Sequence, residues 1–258
     1  SENTDKIESV KQIFDTSGNY IKTIMGATLD SLPIDLTGIA SDGSRIWVTN
    51  RIPYSQQNYS IYSFDMEGTG RLNGSLGLTG AAGTNFTDIA IDPSTSNVYV
   101  ASLGVRSIIK APYDSSGVNK SAQELYFAGS NKSPGGVTID DNGNLLYTDA
   151  STSPPIIRKL SSTKEVLLEF NSKGKNGSGP SVSAIGDIAY DPRSGGMIYV
   201  LAKYNGNNIV LRYDGQGNYI RSFGSGLTDP RNIAVDSEGA IFVTDFANNV
   251  VHQYGPGK

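Results

Sequence analysis

Cysteine is absent from this chain of 258 residues, and histidine and tryptophan occur once each, as His252 and Trp47. Without cysteine there is no disulfide, no thiolate metal site and no thiol nucleophile. With one histidine, neither a multi-histidine zinc site nor a histidine-pair acid–base mechanism has its parts. Basic charge is scarce too. The 21 Lys and Arg are scattered and outnumbered by 25 Asp and Glu, so a nucleic-acid backbone finds no positive field to bind. No apolar run is long enough to span a bilayer, and the amino-terminal SENTDKIES is too polar for the apolar core of a secretory signal. A soluble mature chain is expected, folded as one domain over residues 1–258.

What the chain does have is repetition. Ile-Ala-apolar-Asp, a Gly turn and a short run of strand formers recur at a pitch of about 45 to 51 residues, a period that signals a β-propeller. The copies are GIASDGSRIWVTN from Gly38, DIAIDPSTSNVYVAS from Asp88, GVTIDDNGNLLYTDA from Gly136, DIAYDPRSGGMIYVLA from Asp187 and NIAVDSEGAIFVTDF from Asn232. Each reads as strand, tight turn, strand. A second hairpin follows in most copies: NIVLRYDGQGNYIRSF (208–223) has the same form as SVKQIFDTSGNYIKTI (9–24). An aromatic followed by Asp-X-X-Gly recurs at Phe14, Phe64, Tyr113 and Tyr213. Asp first and Gly fourth suit a type I turn, in which the carboxylate accepts backbone N–H bonds and Gly tolerates a left-handed backbone. The same logic covers Asp140 to Gly143 and Asp236 to Gly239, so the commonest carboxylates are predicted to be turn formers.

These residues resemble the NHL-repeat β-propellers, whose blade runs Gly-Ile-Ala-Val-Asp, a Gly turn, Ile-Tyr-Val-Thr-Asp, then Asn-Asn-Arg-Val and an aromatic-Asp-X-X-Gly hairpin. The likeness is best over Arg231 to Tyr254, with Asn248-Asn249-Val250-Val251, and over Asp187 to Phe223, and it extends along nearly the whole chain. Two departures stand out: Leu160-Ser161-Ser162-Thr163 replaces one Asp-X-X-Gly, and the first copy carries the insertion RIPYSQQNYS. The resemblance implies an all-β propeller of four-stranded antiparallel blades. Five blades are expected, with six as the alternative. The last copy stops at its third strand, VVHQY, and the amino-terminal YIKTI is expected to supply the fourth and close the ring. Val10 to Asp15 then looks like a surplus third strand: it replaces VVHQY, displaces it outward, or is offered to a neighbouring molecule.

In such a ring the first strands line the channel, so Asp88, Asp187 and Asn232 converge near the axis beside Gly38 and Gly136. Their oxygens suit a hard cation such as Ca²⁺ at the channel mouth, with Asn50, Asp149 and Asp245 nearby, though no cofactor is required. Backbone or channel-water bonding is the alternative role for the same groups. Enzymes of similar fold include lactonase-type propellers with carboxylate and amide metal ligands, lyases with several histidine ligands and a histidine-dependent antibiotic lyase. Only the lactonase-like option has candidate residues here, in Asp88, Asp187 and Asn232, and it lacks a glutamate. His252 is predicted on an outer strand, Trp47 between blades, and Tyr54 and Tyr59 on the insertion as cover or contact. GSNKSPGG (129–136) and NSKGKNGSGPS (171–181) read as flexible loops.

Asn-X-Ser/Thr sequons stand at Asn58, Asn73, Asn85, Asn119, Asn131 and Asn176, and none falls in 1–50 or 180–258. The pattern predicts a secreted, N-glycosylated propeller, extracellular or on a cell surface. Its sequon-free flank is then the place for a protein or carbohydrate partner, or another copy of the chain, because a hydrated glycan opposes close packing. A non-enzymatic binding or structural module, self-assembling through that flank, is the leading expectation. A metal-dependent lactonase-like hydrolase or lyase is the alternative.

Overall fold

The computed structural model describes residues 11–14, 19–24, 36–50, 61–67, 72–74, 85–119, 124–127 and 132–256. The chain is an all-β, five-bladed propeller. An amino-terminal hairpin of β1 (Lys11–Phe14) and β2 (Tyr20–Ile24) precedes the blades. Blade one is β3 (Leu36–Ser41), β4 (Arg45–Asn50), β5 (Ile61–Asp65) and β6 (Leu72–Gly74). Blade two is β7 (Phe86–Asp92), β8 (Asn97–Ser102) and β9 (Ser107–Asp114), with the short β10 (Gly117–Val118) and β11 (Glu124–Leu125) sharing its outer edge. Blade three is β12 (Pro134–Ile139), β13 (Leu145–Asp149), β14 (Ile156–Leu160) and β15 (Val166–Asn171). Blade four is β16 (Ala184–Asp191), β17 (Met197–Tyr204), β18 (Asn207–Asp214) and β19 (Tyr219–Leu227). Blade five is β20 (Pro230–Val235), β21 (Ile241–Asp245) and β22 (Val250–Tyr254).

Alternation along the second strand sends one large side chain per blade toward the next blade. Trp47, Tyr99, Leu146 and Tyr199 occupy that position and are buried. Burying each such side chain stabilises the stack by about 1.5–3 kcal/mol. Trp47 is therefore core, as its place in the repeat predicts: it packs on the Tyr113 ring at 4.7 Å while its Nε1 donates to Asp42 at 3.1 Å. The acidic turns also form as expected. The N–H groups of Gly143, Gly217 and Gly239, all with positive φ, donate to the carbonyls of Asp140, Asp214 and Asp236 at 3.0 Å.

The expected joining of the ring by Tyr20–Ile24 does not occur among the described strands. β2 pairs with β1, β22 pairs with β21, and blade five has three strands. The insertion with Asn58, Tyr54 and Tyr59, together with Asn131, Val10 and Asp15, lies outside the described residues. Among the described residues no helix is long and apolar enough to cross a membrane.

Candidate functional site

Every inner strand is bulged at the same place. The register shifts between Leu36 and Ile39, Phe86 and Asp88, Pro134 and Val137, Ile185 and Ile188, and Pro230 and Ile233. A bulge re-aims the residues around it, and beside these shifts stand the predicted channel residues Gly38, Asp88, Gly136, Asp187 and Asn232.

The structure brings the two aspartates and the asparagine together. The Asp88 and Asp187 carboxyls are neighbours although they belong to blades two and four, and the Asn232 side chain stands beside Asp187. Blade three, which lies between them, has a glycine there. A Cβ on Gly136 would stand 2.6 Å from the Asp187 Cα, so this position admits the close approach only because it has no side chain.

Each carboxyl also ties its blade to the next. Asp88 Oδ2 accepts the Val137 N–H and Asp187 Oδ2 the Ile233 N–H, both at 2.8 Å, and Asp187 Oδ1 takes its own neighbour's N–H from Ile188 at 2.8 Å. Burial, and then the charge of Asp187, push the Asp88 carboxyl well above its ordinary 3.8. Burial raises Asp187 as well, opposed by donors from Ile233, Asp88, Ile188 and Asn232. Both carboxyls are therefore raised, Asp88 further than Asp187, which has the more donors around it.

This donor set does not fit Ca²⁺, which takes six to eight oxygens. Three of the four carboxylate oxygens already face backbone N–H groups. Among the described residues no three His, Cys, Asp or Glu side chains gather as a metal-binding group.

The second-strand ends are likewise spent. Asp149 accepts the N–H groups of Ser133 and Ser151 and meets Lys132 Nζ at 3.1 Å. Burial works to raise its carboxyl, but these partners hold it below the ordinary value. Asp245 accepts the N–H groups of Thr228 and Asp229 at 2.8 and 2.9 Å, and the first of these leads the lowering of its carboxyl to about 2. Both fasten the loops entering their blades, a role that position in the repeat alone does not reveal. His252 lies on β22 as predicted, 3.6 Å from Asp245 Oδ2.

On the same face, between blades three and four, is a cavity of about 580 Å³ lined by hydroxyl and amide side chains such as Thr152, Ser153, Asn171 and Ser183. Lys173 is its one ionisable lining residue.

The wall at 171–181, expected to be flexible, is instead a compact bonded turn. Gly174 packs so closely that a Cβ would stand 2.5 Å from the Tyr219 nitrogen, and Lys175 N–H donates to the Gly217 carbonyl at 2.8 Å. Glycine-rich sequence reads as mobile, and only the tertiary contact shows these glycines are needed for fit. Asn176 completes the turn: its Nδ2 donates to the Tyr219 carbonyl at 2.9 Å and its Oδ1 accepts the Tyr219 N–H at 3.1 Å. A sugar on Asn176 replaces the Nδ2 hydrogen on the Oδ1 side, which is the hydrogen this two-point contact uses. The expected glycan at Asn176 therefore meets a geometric obstacle. Asn85 and Asn119 are exposed, and Asn73 lies on β6.

No protein-family model matches this chain, and no curated protein is similar to it in sequence. Solved structures are similar in fold. A chain of the nidogen/laminin complex is 16% identical, covering 86% of this chain and 76% of its own, with a TM-score of 0.66. A streptogramin B lyase is 17% identical over 88% of this chain and 71% of its own, TM-score 0.57. A luciferin-regenerating enzyme is 13% identical over 85% and 72%, TM-score 0.58. At these identities the likeness is one of fold.

Proposed function

We propose that this chain is a secreted, N-glycosylated propeller of the NHL-repeat kind that works as a binding or structural module rather than a catalyst. One observation carries the reading. The carboxylates of the channel and of the second-strand ends are occupied by backbone N–H groups and lysine, so they hold blades and loops in place. A general base needs a free lone pair within reach of a substrate proton, and the hydroxyl-lined cavity supplies recognition groups but no carboxylate or imidazole. The similar fold in a nidogen/laminin complex supports protein binding for this architecture, while the lyase and the luciferin-regenerating enzyme represent its catalytic uses.

Glycans at Asn58, Asn73, Asn85, Asn119 and Asn131 would leave the flank formed by 1–50 and 180–258 for a protein or carbohydrate partner, or for another copy of the chain. That flank carries exposed apolar side chains: Ile21, Ile39, Phe246, Val250 and Val251. The test is metal analysis of the purified chain together with a screen of lactones and esters. Absence of turnover, with glycans mapped by mass spectrometry, is the expected result. Stoichiometric divalent metal with chelator-sensitive turnover would overturn the reading.

A further inference from the structure

The channel carboxylates are spent on the fold, whereas the cavity between blades three and four keeps polar groups in reserve. Among the described residues no hydrogen bond or ion pair engages the Lys173 ammonium, the Asn171 Nδ2 or the hydroxyls of Ser153 and Ser181, all of which line it.

The wall that carries Lys173 is fixed before any ligand arrives. The Lys173 N–H donates to Asn171 Oδ1 at 3.0 Å, and its carbonyl accepts the Gly179 N–H at 2.9 Å. Beside it the fully buried Ser172 donates its hydroxyl to the Pro180 carbonyl at 2.7 Å and accepts the Val182 N–H at 3.3 Å. The Ser172 carbonyl in turn accepts the Tyr213 hydroxyl at 2.9 Å. On the loop after β13, the Thr152 hydroxyl donates to the Pro154 carbonyl at 2.9 Å. A preformed site of this kind spends little of a ligand's binding energy on ordering the protein.

The lining selects its guest by chemistry. Hydroxyls from Thr152, Ser153, Ser172, Ser181 and Ser183 border a space of about 580 Å³, within the range of roughly 300–1,000 Å³ usual for small-molecule sites. A hydroxyl both donates and accepts, which matches the hydroxyls of a sugar ring. Pro154, Pro155 and Val182 supply apolar surface for the ring's C–H face. No carboxylate is part of the lining. Asp149, one residue before Ala150 of the lining, is buried and bonded to Lys132 and Ser151. Lys173 therefore brings a positive charge without a counter-charge. Lys175 follows on the same loop, and the Lys203 carbonyl accepts the Ser183 hydroxyl at 3.1 Å; both lysines are exposed and outside any ion pair among the described residues. A single ammonium suits a carboxylate, whereas a phosphate is better held by an arginine fork or a nest of N–H groups.

We propose that this cavity binds a short acidic saccharide, whose carboxylate meets Lys173 and whose ring hydroxyls meet Ser153, Asn171 and Ser181. The inference rests on the binding-module reading and names the ligand class of its cavity.

The test titrates the full chain with glucuronic acid in the presence of a chelator, read by calorimetry and by NMR of the Val182 and Ala184 methyl groups. Saturable binding that shifts these methyls, weakens with added salt and returns the probe chemically unchanged is expected. Glucose, which lacks the carboxylate, and cyclohexanecarboxylate, which lacks the hydroxyls, should each bind at least about tenfold more weakly. Lys173→Gln keeps the backbone bonds of the wall and should weaken glucuronic acid by about five- to tenfold. Lys175→Gln, outside the lining, should change it by less than about twofold. Absence of saturable binding, shifts confined to other blades, or equal affinity in Lys173→Gln and the native chain each overturns the proposal. Inorganic phosphate binding as tightly as glucuronic acid overturns it in favour of a general anion site, and tighter binding of a glutamate-rich peptide in favour of a peptide site. All these failures leave the binding-module reading intact, since that reading fails on chelator-sensitive turnover instead.

Discussion

The Asp88 and Asp187 carboxyls meet across the one blade that separates them, beside the bare backbone of Gly136. The contact joins blades two and four, while each of the two carboxyls also holds the blade that follows it.

The raised carboxyl has a pH signature. Asp88 titrates above its ordinary 3.8 in the folded chain, so folding retains a proton that the unfolded chain releases. The stabilisation is complete below about 3.8 and is lost as pH rises through the folded value. Asp88→Asn removes the titrating carboxyl and leaves a permanent N–H donor in its place. Urea unfolding at about pH 4, 6 and 8 should show stability declining in the native chain and a flatter profile in the variant. Parallel profiles would refute the raised carboxyl.

Gly136→Ala should destabilise by about 1–3 kcal/mol, because the added methyl would meet the Asp187 and Ile188 backbone at 2.6 Å. Gly255→Ala, with nothing within 4 Å, is the neutral control. Equal unfolding midpoints for the two variants would show that blades two and four do not depend on that close approach.

The acidic limb runs the other way. Burial works against the Asp42 carboxylate, yet bonds from Ser44, Arg45 and Trp47 bring it down to about 2. Its contribution is present above 3.8 and disappears as pH falls toward 2. Asp42→Asn should therefore remove part of the acid-induced loss of stability. For Asp245, also held at about 2, the expected readout is local: Asp245→Asn speeds hydrogen exchange at the Thr228 and Asp229 amides while the core amides of β17 keep their protection.

Glycopeptide mapping should find the sugar on Asn85 and Asn119 and the lowest occupancy at Asn176, whose amide is engaged by Tyr219 through both of its polar atoms. Asn176→Asp, which keeps the acceptor but loses the donor, should loosen the 171–181 turn and increase its proteolytic nicking. High occupancy at Asn176 in the folded chain would show that the turn forms without this contact.

The propeller was legible because its signals are local. A Gly after Asp-X-X fixes a turn wherever it falls, and Gly143, Gly217 and Gly239 all close the same bond. The convergence of Asp88, Asp187 and Asn232 was legible once the repeat was aligned, since equivalent positions share a radius. Their bonding was not: nothing in the chain near Asp88 says that a glycine one blade on lets a carboxyl from the blade beyond reach it. That YIKTI, among the described strands, pairs with KQIF and not with VVHQY was hidden for a related reason. YIKTI fits a fourth strand in pattern, but pattern does not choose between two third strands, and KQIF, adjacent in the chain, pairs with it at the lower loop-closure cost.

Among the described residues blade five stands bare against blade one, with Ile39 and Val251 exposed, and there the wheel is cut like a split washer. A continuous ring resists any change of bore, because widening one joint compresses the others. A cut ring spreads by small rotations shared over four joints, so the bonds that join blade to blade, such as Asp88 to Val137 and Asp187 to Ile233, set its bore.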